Sequence, residues 1–199
     1  AGVHTADNGS ITINGNTVIN HNPHQAQNMG ISVIYQELNL VPYMTVAENM
    51  FMGHEPLHKK SGLIDWKTIY NKAKEALESI ECQIDPDTLV SELSIAQRQM
   101  VEIAKAVSRN AQILVMDEPT SSLADNEVET LFRLIRKLRA RGAAIIYICH
   151  RMEEVFQVGD RATVLRDGKF IGTRQLSEVN ADELIKMIAK LTTYDEKSE

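Results

Sequence analysis

The sequence predicts an α/β protein with a mostly parallel sheet core, an antiparallel β hairpin and a helical subdomain. The core follows from an apolar run at 113–116, a helical pattern at 126–141 and a second apolar run at 143–149. A strand, helix and strand at this spacing form a parallel pair with a right-handed crossover. The hairpin follows from an Asn-Gly turn at 14–15 between two β-rich segments. The helical subdomain follows from apolar residues at helical spacing within 37–109.

The first 36 residues are assigned to the N-terminal β part of the core. Residues 10–14 and 17–19 are the two predicted strands of the hairpin. Residues 31–35 form a short apolar run that predicts a buried strand, and this strand ends at Gln36.

Residues 37–109 are assigned to the helical subdomain, which is inserted into the core. Thr45 can cap a helix that continues to residue 52, and residues 66–80 carry apolar side chains at helical spacing. A third helix is predicted over residues 95–108, with Ser94 as its cap. Its apolar face is predicted to consist of Met100, Ile103, Ala104 and Val107.

Residues 110–191 are assigned to the second part of the core. The apolar run at 113–116 predicts a strand that is buried on both faces, as strands of parallel sheets usually are. Residues 161–166 and 169–174 flank an Asp-Gly turn and predict a second hairpin. An amphipathic helix over residues 181–191 and a polar, frayed tail at 192–199 follow.

The composition limits the class of protein. The chain has 199 residues, of which 43% are hydrophobic and 24% charged, as expected for one soluble globular domain. The net charge is -6 and the Lys and Arg residues are scattered, which argues against a nucleic-acid surface. The longest apolar run, 143–149, is far shorter than the roughly 20 residues that span a bilayer. Cys82 and Cys149 lack metal-ligand spacing, so we expect free thiols in the reducing cytoplasm.

Two adjacent carboxylates, Asp117 and Glu118, follow the apolar run at 113–116. Ligands of parallel sheets bind beyond the carboxyl ends of the strands, where we expect both side chains to lie. Because strand side chains alternate, one carboxylate can lie near Mg²⁺ while the other acts as a base toward an attacking water. The alternative is a solvated turn, since Asp-Glu before a proline also occurs in ordinary loops.

The second candidate site is a helix start and consists of Ser94, Ile95, Ala96 and Gln97. Free N–H groups, the helix dipole and a hydroxyl together attract an anion such as a phosphate. The alternative is that Ser94 is an ordinary N-cap. Gln36 and His150 each end a predicted strand, and each taken singly has a structural or surface explanation.

These features follow one another in a fixed order along nearly the whole chain. A strand-terminal Gln precedes a Leu-Ser-x-x-Gln helix start, an apolar strand ending in Asp-Glu-Pro-Thr, a Ser-Ser-Leu-Ala-Asp segment and a strand-terminal His. This order resembles the ATP-binding subunits of ABC transporters, which have a P-loop NTPase-like fold. Residues 35–42, 45–49 and 94–105 look like the first nucleotide-binding domain of importers of ribose, galactose, xylose and similar compounds.

The resemblance implies ATP and Mg²⁺ as cofactors and a role for each candidate residue. Asp117 would be the Walker B carboxylate that supports Mg²⁺, and Gln36 the Q-loop residue that senses Mg²⁺ and the attacking water. Glu118 would be the general base, and His150 the switch histidine that contacts the γ-phosphate. Asp125 would be the D-loop acid that touches the opposite domain. A nucleotide bound to the partner domain would contact Ser94, Ile95, Ala96 and Gln97.

The chain departs from the family pattern in two places. It contains no Gly-x-x-x-x-Gly-Lys-Ser/Thr loop, whose amides and Lys hold the β- and γ-phosphates. We therefore expect the chain to begin after that loop and to have little ATPase activity alone. We also expect it to self-associate through apolar surface that an absent strand would leave exposed. The signature more often carries Gly at the positions of Ile95 and Ala96, although Ile95 is normal in the sugar-importer subgroup.

Three functions stay open at this point. The first is an ATPase subunit of a sugar importer at the cytoplasmic face of the membrane. Its partners would be a second nucleotide-binding domain, transmembrane permease subunits and, indirectly, a solute-binding protein. The second is a non-hydrolysing interaction module that supplies residues 94–97 in trans to a complete partner domain. The third, an ABC-type ATPase of DNA maintenance, fits poorly because the insertion after Gln36, about 60 residues long, has no long heptads and no basic stripe.

Overall fold

The computed structural model describes residues 2–18, 22–109 and 111–189. Backbone contacts divide the chain into two units, the first ending at Ile148 and the second beginning at Cys149.

Three of the predictions fall outside the described residues. They are position 19 of the second hairpin strand, the end of the last helix at 190–191, and the tail at 192–199. The division into core parts at 1–36 and 110–191 and a helical subdomain at 37–109 stays a prediction.

The first unit opens with the predicted antiparallel hairpin, formed by β1 (Ile11–Ile13) and β2 (Asn16–Val18). Asn14 and Gly15 have φ angles of 50° and 79°, the left-handed pair that a tight two-residue turn requires. The Asn14 Nδ2 donates a hydrogen bond to Gln112 Oε1 at 3.1 Å, which fixes the turn against the segment before the central strand.

A short helix, α1 (Pro23–Asn28), precedes strand β3 (Ile31–Ile34) and was not predicted. Its start is specified locally, because Asn22 and Gln25 form a reciprocal capping box and Pro23 occupies the first helical turn. β3 ends one residue before the predicted boundary.

A three-stranded parallel sheet with the order β3-β4-β5 forms the centre of the first unit. β4 (Ile113–Asp117) lies between β3 and β5 (Ala144–Ile148). The pairing places Ile34 opposite Met116 and Met116 opposite Tyr147. The predicted parallel pair is therefore confirmed, with a helix between its strands.

The predicted burial of the central strand on both faces is wrong. Leu114 and Met116 are buried, whereas the alternating Ile113, Val115 and Asp117 are only half-buried. Helix α5 (Asp125–Ala140) covers the buried face, where Phe132 packs edge-on against Tyr147. Among the described residues, the opposite face has less cover, and its side chains on β5 are exposed.

The helical part consists of α2 (Val46–Phe51), α3 (Trp66–Ser79) and α4 (Ile95–Ser108), which pack against one another. Thr45, Asp65 and Ser94 cap the three helices, since each side chain accepts a hydrogen bond from the third helical N–H. A 3-10 turn, Val90–Glu92, leads into α4. The buried apolar residues between the helices include Val46, Met50, Ile69, Ala73, Leu77, Val90 and Val101.

The predicted apolar face of α4 is only partly correct. Ile103 and Ala104 are buried, but Met100 and Val107 are half-buried. The other buried side chains of this helix are Gln99, Val101 and Ala106. Burial extends beyond one face because α4 contacts strand β3 as well as α2 and α3.

Two polar contacts join α5 to the end of α3. Lys137 Nζ lies 2.7 Å from Glu81 Oε1, and the Arg141 guanidinium donates to the Ser79 carbonyl at 3.3 Å. The contact with Lys137 lowers the pKa of the Glu81 carboxyl. The end of α3 is thus joined to α5 by two polar contacts.

The second unit contains α6 (Met152–Val158), the antiparallel strands β6 (Arg161–Arg166) and β7 (Lys169–Gln175), and α7 (Ala181–Ile188). The predicted hairpin turn is confirmed, with positive φ angles at Asp167 and Gly168. Helix α6 was not predicted. The small core of this unit is built around Val164, Leu176 and Leu184.

Candidate functional site

The carboxyl ends of the three parallel strands are level with one another. Ile34, the last residue of β3, pairs with Met116, so the next residues along the two chains are Tyr35 after β3 and Asp117 at the end of β4. Gln36 and Glu118 each follow one residue later. The structure therefore brings Gln36, Asp117 and Glu118 to one edge of the sheet, as the sequence predicts.

Asp117 and Glu118 differ in backbone conformation. Asp117 is the last residue of β4, pairs with Ile148 and is half-buried. Glu118 lies beyond the strand with a φ of 44°, a left-handed conformation that is uncommon for Glu. Its N–H donates to the Ile148 carbonyl at 2.9 Å. The alternation of strand side chains therefore does not apply to Glu118, and the different directions predicted for the two carboxylates need another basis.

A tight turn carries the chain from Glu118 to the start of α5. The Glu118 carbonyl accepts a hydrogen bond from Ser121 N, and the Thr120 carbonyl accepts one from Leu123 N. Thr120 is buried, which fixes the turn. Asp125 is the first residue of α5 and is exposed. Its carboxylate is therefore accessible to another molecule.

Ser94 and Gln97 form a reciprocal capping box at the start of α4. Ser94 Oγ accepts from Gln97 N at 3.2 Å, and Gln97 Oε1 accepts from Ser94 N at 2.9 Å. This confirms the N-cap interpretation of Ser94. The N–H groups of Ile95 and Ala96 have no acceptor within an α-helix, because they belong to its first turn. These two donors, beside the exposed Ser94, are the part of the motif that an anion can use.

The segment after Gln36 is hydrogen-bonded to the 3-10 turn that precedes α4. The Pro42 carbonyl accepts from Ser91 N at 2.9 Å, and the Met44 carbonyl accepts from Val90 N at 3.1 Å. The Arg98 guanidinium, one turn into α4, donates to the Val90 carbonyl at 3.2 Å. The loop after Gln36 and the first turns of α4 are therefore hydrogen-bonded to the same 3-10 turn.

The helix start lies apart from the strand ends. The middle and end of α4 pack near β3, where Glu102 and Arg109 line a cavity with Tyr35. Ser94 begins the helix eight residues before Glu102, about 12 Å along the axis at 1.5 Å per residue.

The cavity between α1, β3 and α4 has a volume of about 150 Å³ and a charged lining. Burial lowers the pKa of both Lys105 and Arg109, and the Glu102 carboxylate opposes this effect. Within the described part of the chain, Arg109 Nε and Glu102 Oε1 are buried without a hydrogen-bond partner. Burial also lowers the pKa of His54, with a further contribution from Arg109. The burial of Glu102, Lys105 and Arg109 therefore costs solvation free energy.

His150 lies in the second unit, two residues beyond the last residue of β5, and is exposed. Its predicted role at the phosphate stays a prediction.

A comparison with protein-family models matches residues 1–121 to the ABC transporter family. The match includes Gln36, the helix start at 94–97, Asp117 and Glu118. The chain belongs to the ABC transporter family. The resemblance inferred from motif order is confirmed.

Two relatives of this ABC-family chain are named as import ATP-binding proteins. It is 50% identical over 188 residues to the ribose/galactose/methyl galactoside import ATP-binding protein 2 of Burkholderia lata, covering 94% of the chain and 36% of that relative. It is 45% identical over 187 residues to the ribose import ATP-binding protein RbsA of Geobacillus kaustophilus, covering 94% and 38%. The chain thus spans between a third and two fifths of the length of these relatives.

Solved structures of ATP-binding cassettes share the fold. An ATP-binding cassette of an ABC transporter in its ADP conformation superposes with a TM-score of 0.78 at 26% identity, over 94% of this chain and 78% of that one. A nucleotide-free ATP-binding cassette gives a TM-score of 0.76 at 27% identity, over 87% and 72%. The predicted P-loop NTPase-like fold of the ABC type is confirmed.

Asp117 and Gln36 are the residues of this ABC-family chain that could hold Mg²⁺. In nucleotide sites Mg²⁺ is bound through one or two carboxylates, with phosphates and waters as its other ligands. Within the described ranges, no three His, Cys, Asp or Glu side chains are grouped closely enough to hold a metal ion. One half-buried carboxylate and one amide oxygen at aligned strand ends fit a site that a nucleotide completes.

Asn49 is a structural contributor to the site that the sequence interpretation missed. It is fully buried on α2, and its side chain makes four hydrogen bonds to the backbone of residues 41–45. The signal was present, because Thr45 and Glu48 predict a capping box and place Asn49 on the inner side of a short helix.

None of the described helices is both long and apolar enough to cross a bilayer.

Proposed function

We propose that this chain is the ATP-binding part of a subunit that hydrolyses ATP to energise ABC-type import of a sugar or a related small solute. The observation that carries the proposal is the level ending of β3 and β4, which gathers Gln36, Asp117 and Glu118 at one edge of the sheet. In sheets of this type, ligands bind at that edge.

Each residue at this edge has a distinct task in the proposal. Bound Mg²⁺·ATP supplies the phosphoryl group and a cation that neutralises its developing charge. Asp117 and Gln36 orient the cation, and Glu118 accepts a proton from the attacking water. The contact of His150, which lies in the second unit, with the terminal phosphate is a role that only the family resemblance suggests. Asp125, exposed at the start of α5, contacts a second nucleotide-binding domain.

The names of the relatives support the proposed substrate class. The matched proteins of Burkholderia lata and Geobacillus kaustophilus are named as import ATP-binding proteins for ribose, galactose or methyl galactoside. The partners in this proposal are a second nucleotide-binding domain, transmembrane permease subunits and, through them, a solute-binding protein. The protein acts at the cytoplasmic face of the membrane.

A second candidate function is an interaction module that does not hydrolyse ATP. It is favoured by the exposure of Ser94 and by the distance of the helix start from the strand ends. The module serves a nucleotide held by a complete partner domain, because the two first-turn donors at Ile95 and Ala96 have no acceptor within the helix.

Calorimetric titration with Mg²⁺·ATP separates the two functions. The 199 residues contain no Gly-x-x-x-x-Gly-Lys-Ser/Thr loop, so binding to the chain alone is expected to be weak. Weak binding to the isolated chain that is lost in Asp117→Asn favours the ATPase. Binding seen only with a complete nucleotide-binding domain, and lost in Ser94→Asp, favours the module.

Measurement of ATP turnover provides a second test that distinguishes the ATPase from the interaction module. The isolated chain is expected to release little or no phosphate from ATP. Turnover that disappears in Glu118→Gln would contradict this expectation and assign catalysis to the chain itself. A Glu129→Gln variant, on the exposed surface of α5, is the matched control for the change from carboxylate to amide.

A further inference from the structure

A second cavity lies between the hairpin formed by β1 and β2 and the helix α1. Its volume is about 480 Å³, which is within the range of small-molecule binding sites. Asn14 and Asn16 line it from the hairpin, and Gln25 and Asn28 line it from α1. We refer to it as the amide cavity, after these four side chains.

The lining of the amide cavity is uncharged. Among the described residues around it there is no Asp, Glu, Lys, Arg or His, although 24% of the residues of the chain are charged. The cavity beside α4 is instead lined by Glu102, Lys105 and Arg109. A charged ligand in the amide cavity would lose its water without meeting an opposite charge, which costs free energy. The lining therefore selects a neutral ligand.

Two of the amides are held in place by contacts within the protein. Asn14 Nδ2 donates to Gln112 Oε1 at 3.1 Å, and Gln25 Oε1 accepts from Asn22 N at 3.1 Å. Within the described residues, Asn14 Oδ1 and Gln25 Nε2 have no hydrogen-bond partner. One acceptor and one donor are therefore left for a ligand.

The other two amides add acceptors to the cavity. Asn16 Nδ2 donates to the Asn14 carbonyl at 3.5 Å, and Asn28 Nδ2 lies 3.2 Å from His24 Nδ1. In the part of the chain that the structure describes, the Oδ1 atoms of Asn16 and Asn28 make no hydrogen bond. With Asn14, the cavity offers three amide oxygens, and these bind a ligand that carries several O–H donors.

Apolar side chains complete the lining. Ile13, Val18 and Met29 are half-buried there, and Thr17 adds a hydroxyl that can both donate and accept. A sugar ring carries C–H groups beside its hydroxyls, so it can contact apolar side chains and amides together. A purely apolar ligand would leave the amide oxygens without donors, which costs free energy. The lining therefore matches a monosaccharide better than an apolar molecule.

We propose that the amide cavity is a binding site for a neutral monosaccharide. Asn14, Asn16 and Asn28 accept hydrogen bonds from its hydroxyl groups, and Gln25 Nε2 donates to one of its oxygens. Bound sugar joins the hairpin to α1, the helix that precedes β3.

The amide cavity lies at the opposite end of the sheet from the candidate ATP site. Asn14 is bonded to Gln112, which directly precedes β4, whereas Asp117 is the last residue of that strand. The inference goes beyond the proposed ATPase or module function. Sugar binding at this site does not require a nucleotide, so failure of either proposal leaves the other intact.

Titration of the 199-residue chain with sugars, followed by NMR, tests the proposal. The side-chain NH₂ resonances of the four amides report directly on the cavity. Ribose and galactose are the probes, because the Burkholderia lata relative is named for their import. We expect saturable shifts of these resonances, with a dissociation constant of about 1–10 mM for a ligand of this size. Galacturonate, the charged counterpart of galactose, is expected to bind about tenfold more weakly or worse.

Two variants each remove one acceptor from the cavity. Asn16→Ala and Asn28→Ala are each expected to weaken binding of the neutral sugars by about fivefold, the effect of one hydrogen bond. The matched controls are Thr12→Ala, on the opposite strand of the hairpin, and Gln27→Ala, on the same helix. Both side chains are exposed and lie outside the lining of the amide cavity. The controls are expected to bind as the wild type does, and circular dichroism confirms that each variant is folded.

Three results would overturn the proposal. The first is the absence of saturable shifts with both ribose and galactose. The second is sugar binding that Asn16→Ala and Asn28→Ala weaken no more than the controls do, which would place the sugar elsewhere on the chain. The third is binding of galacturonate as tight as that of the neutral sugars, because an uncharged lining should not accept it.

Discussion

Asn49 and Val41 are joined by two hydrogen bonds between one side chain and one backbone unit. Asn49 Oδ1 accepts from Val41 N at 2.7 Å, and Asn49 Nδ2 donates to the Val41 carbonyl at 3.1 Å. The same Nδ2 donates to the carbonyls of Met44 and Thr45. Since the loop at 42–44 is in turn bonded to the 3-10 turn before α4, Asn49 fixes the path from Gln36 to the Ser94 helix start.

Replacing Asn49 with Ala is expected to lower the free energy of unfolding by about 3 kcal/mol, because buried donors and acceptors lose their partner. Asn49→Asp is expected to be at least as destabilising near neutral pH, since it directs a carboxylate oxygen at backbone carbonyls. Its stability should rise as the pH falls and that carboxyl becomes protonated. Urea unfolding followed by circular dichroism measures both variants.

Asn71→Ala is the control for the Asn49 variants. Asn71 is exposed on α3, so its replacement should change stability by no more than about 0.5 kcal/mol. An Asn49→Ala protein as stable as Asn71→Ala would contradict the structural role assigned to Asn49.

The helix start at Ser94 can be tested for a role beyond capping. Ser94→Ala is expected to lose about 1 kcal/mol of stability, whereas Ser94→Asp should retain stability because Asp is an equally good N-cap. The added negative charge should nevertheless prevent contact with a phosphate. If the chain stimulates a complete nucleotide-binding domain to hydrolyse ATP, the Ser94→Asp variant should therefore lose this stimulation.

Thr45→Asp is the matched control, since it changes the N-cap of α2 in the same way at a different position. This variant is expected to be folded and to stimulate the partner domain normally. If Ser94→Asp also stimulates normally, residues 94–97 do not contact the partner's nucleotide.

Local signals account for most of the fold that the sequence predicted. The turn at Asn14 and Gly15 and the cap at Ser94 are specified by neighbouring residues, so they could be identified without tertiary information. Helix α1 was missed although Asn22, Pro23 and Gln25 carry a capping signal, because its six residues show no apolar period. The burial of β4 was overestimated because it depends on what covers each face, which periodicity within the strand does not contain.

Some features of the candidate site could likewise be predicted from the sequence, and others could not. The motif order placed Gln36, Asp117 and Glu118 correctly at strand ends, because strand ends of a parallel sheet coincide by topology. The left-handed conformation of Glu118 could not be predicted, since it occurs together with a hydrogen bond from its N–H to the Ile148 carbonyl of a neighbouring strand, a contact that local sequence does not contain. The clamp formed by Asn49 depends on the folded path of residues 41–45, which a linear pattern does not reveal.

Cys82 is expected to be unreactive toward alkylating reagents. Burial raises the pKa of its thiol to about 11, so near pH 8 only about one thiol in a thousand is ionised. In a Cys149→Ser background, the rate of carbamidomethylation should rise about tenfold for each pH unit and level off only near pH 11. A plateau below about pH 9 would show an ordinary, solvated thiol.

The same shift in Cys82 predicts a pH dependence of stability. The folded-state pKa is raised, so the unfolded chain loses its proton first as the pH rises. Stability is therefore unaffected below the unfolded-state pKa of about 8.5 and falls as the pH approaches 11. Cys82→Ala should remove this loss of stability at alkaline pH. If urea unfolding shows the same alkaline loss in the wild type and in Cys82→Ala, the buried thiol is not its cause.

Strand β5 gives a structural reason to expect self-association of the chain. It is the last strand in the sheet order of the described residues, and Ile146 and Ile148 on one of its faces are 53% and 46% exposed. An edge strand with exposed isoleucines pairs readily with another chain. Size-exclusion chromatography with light scattering should show oligomers that become monomers in I146K/I148K, whereas Leu165→Lys, at an exposed site on β6, should leave them unchanged. A wild-type protein that stays monomeric over the accessible concentration range would refute this prediction.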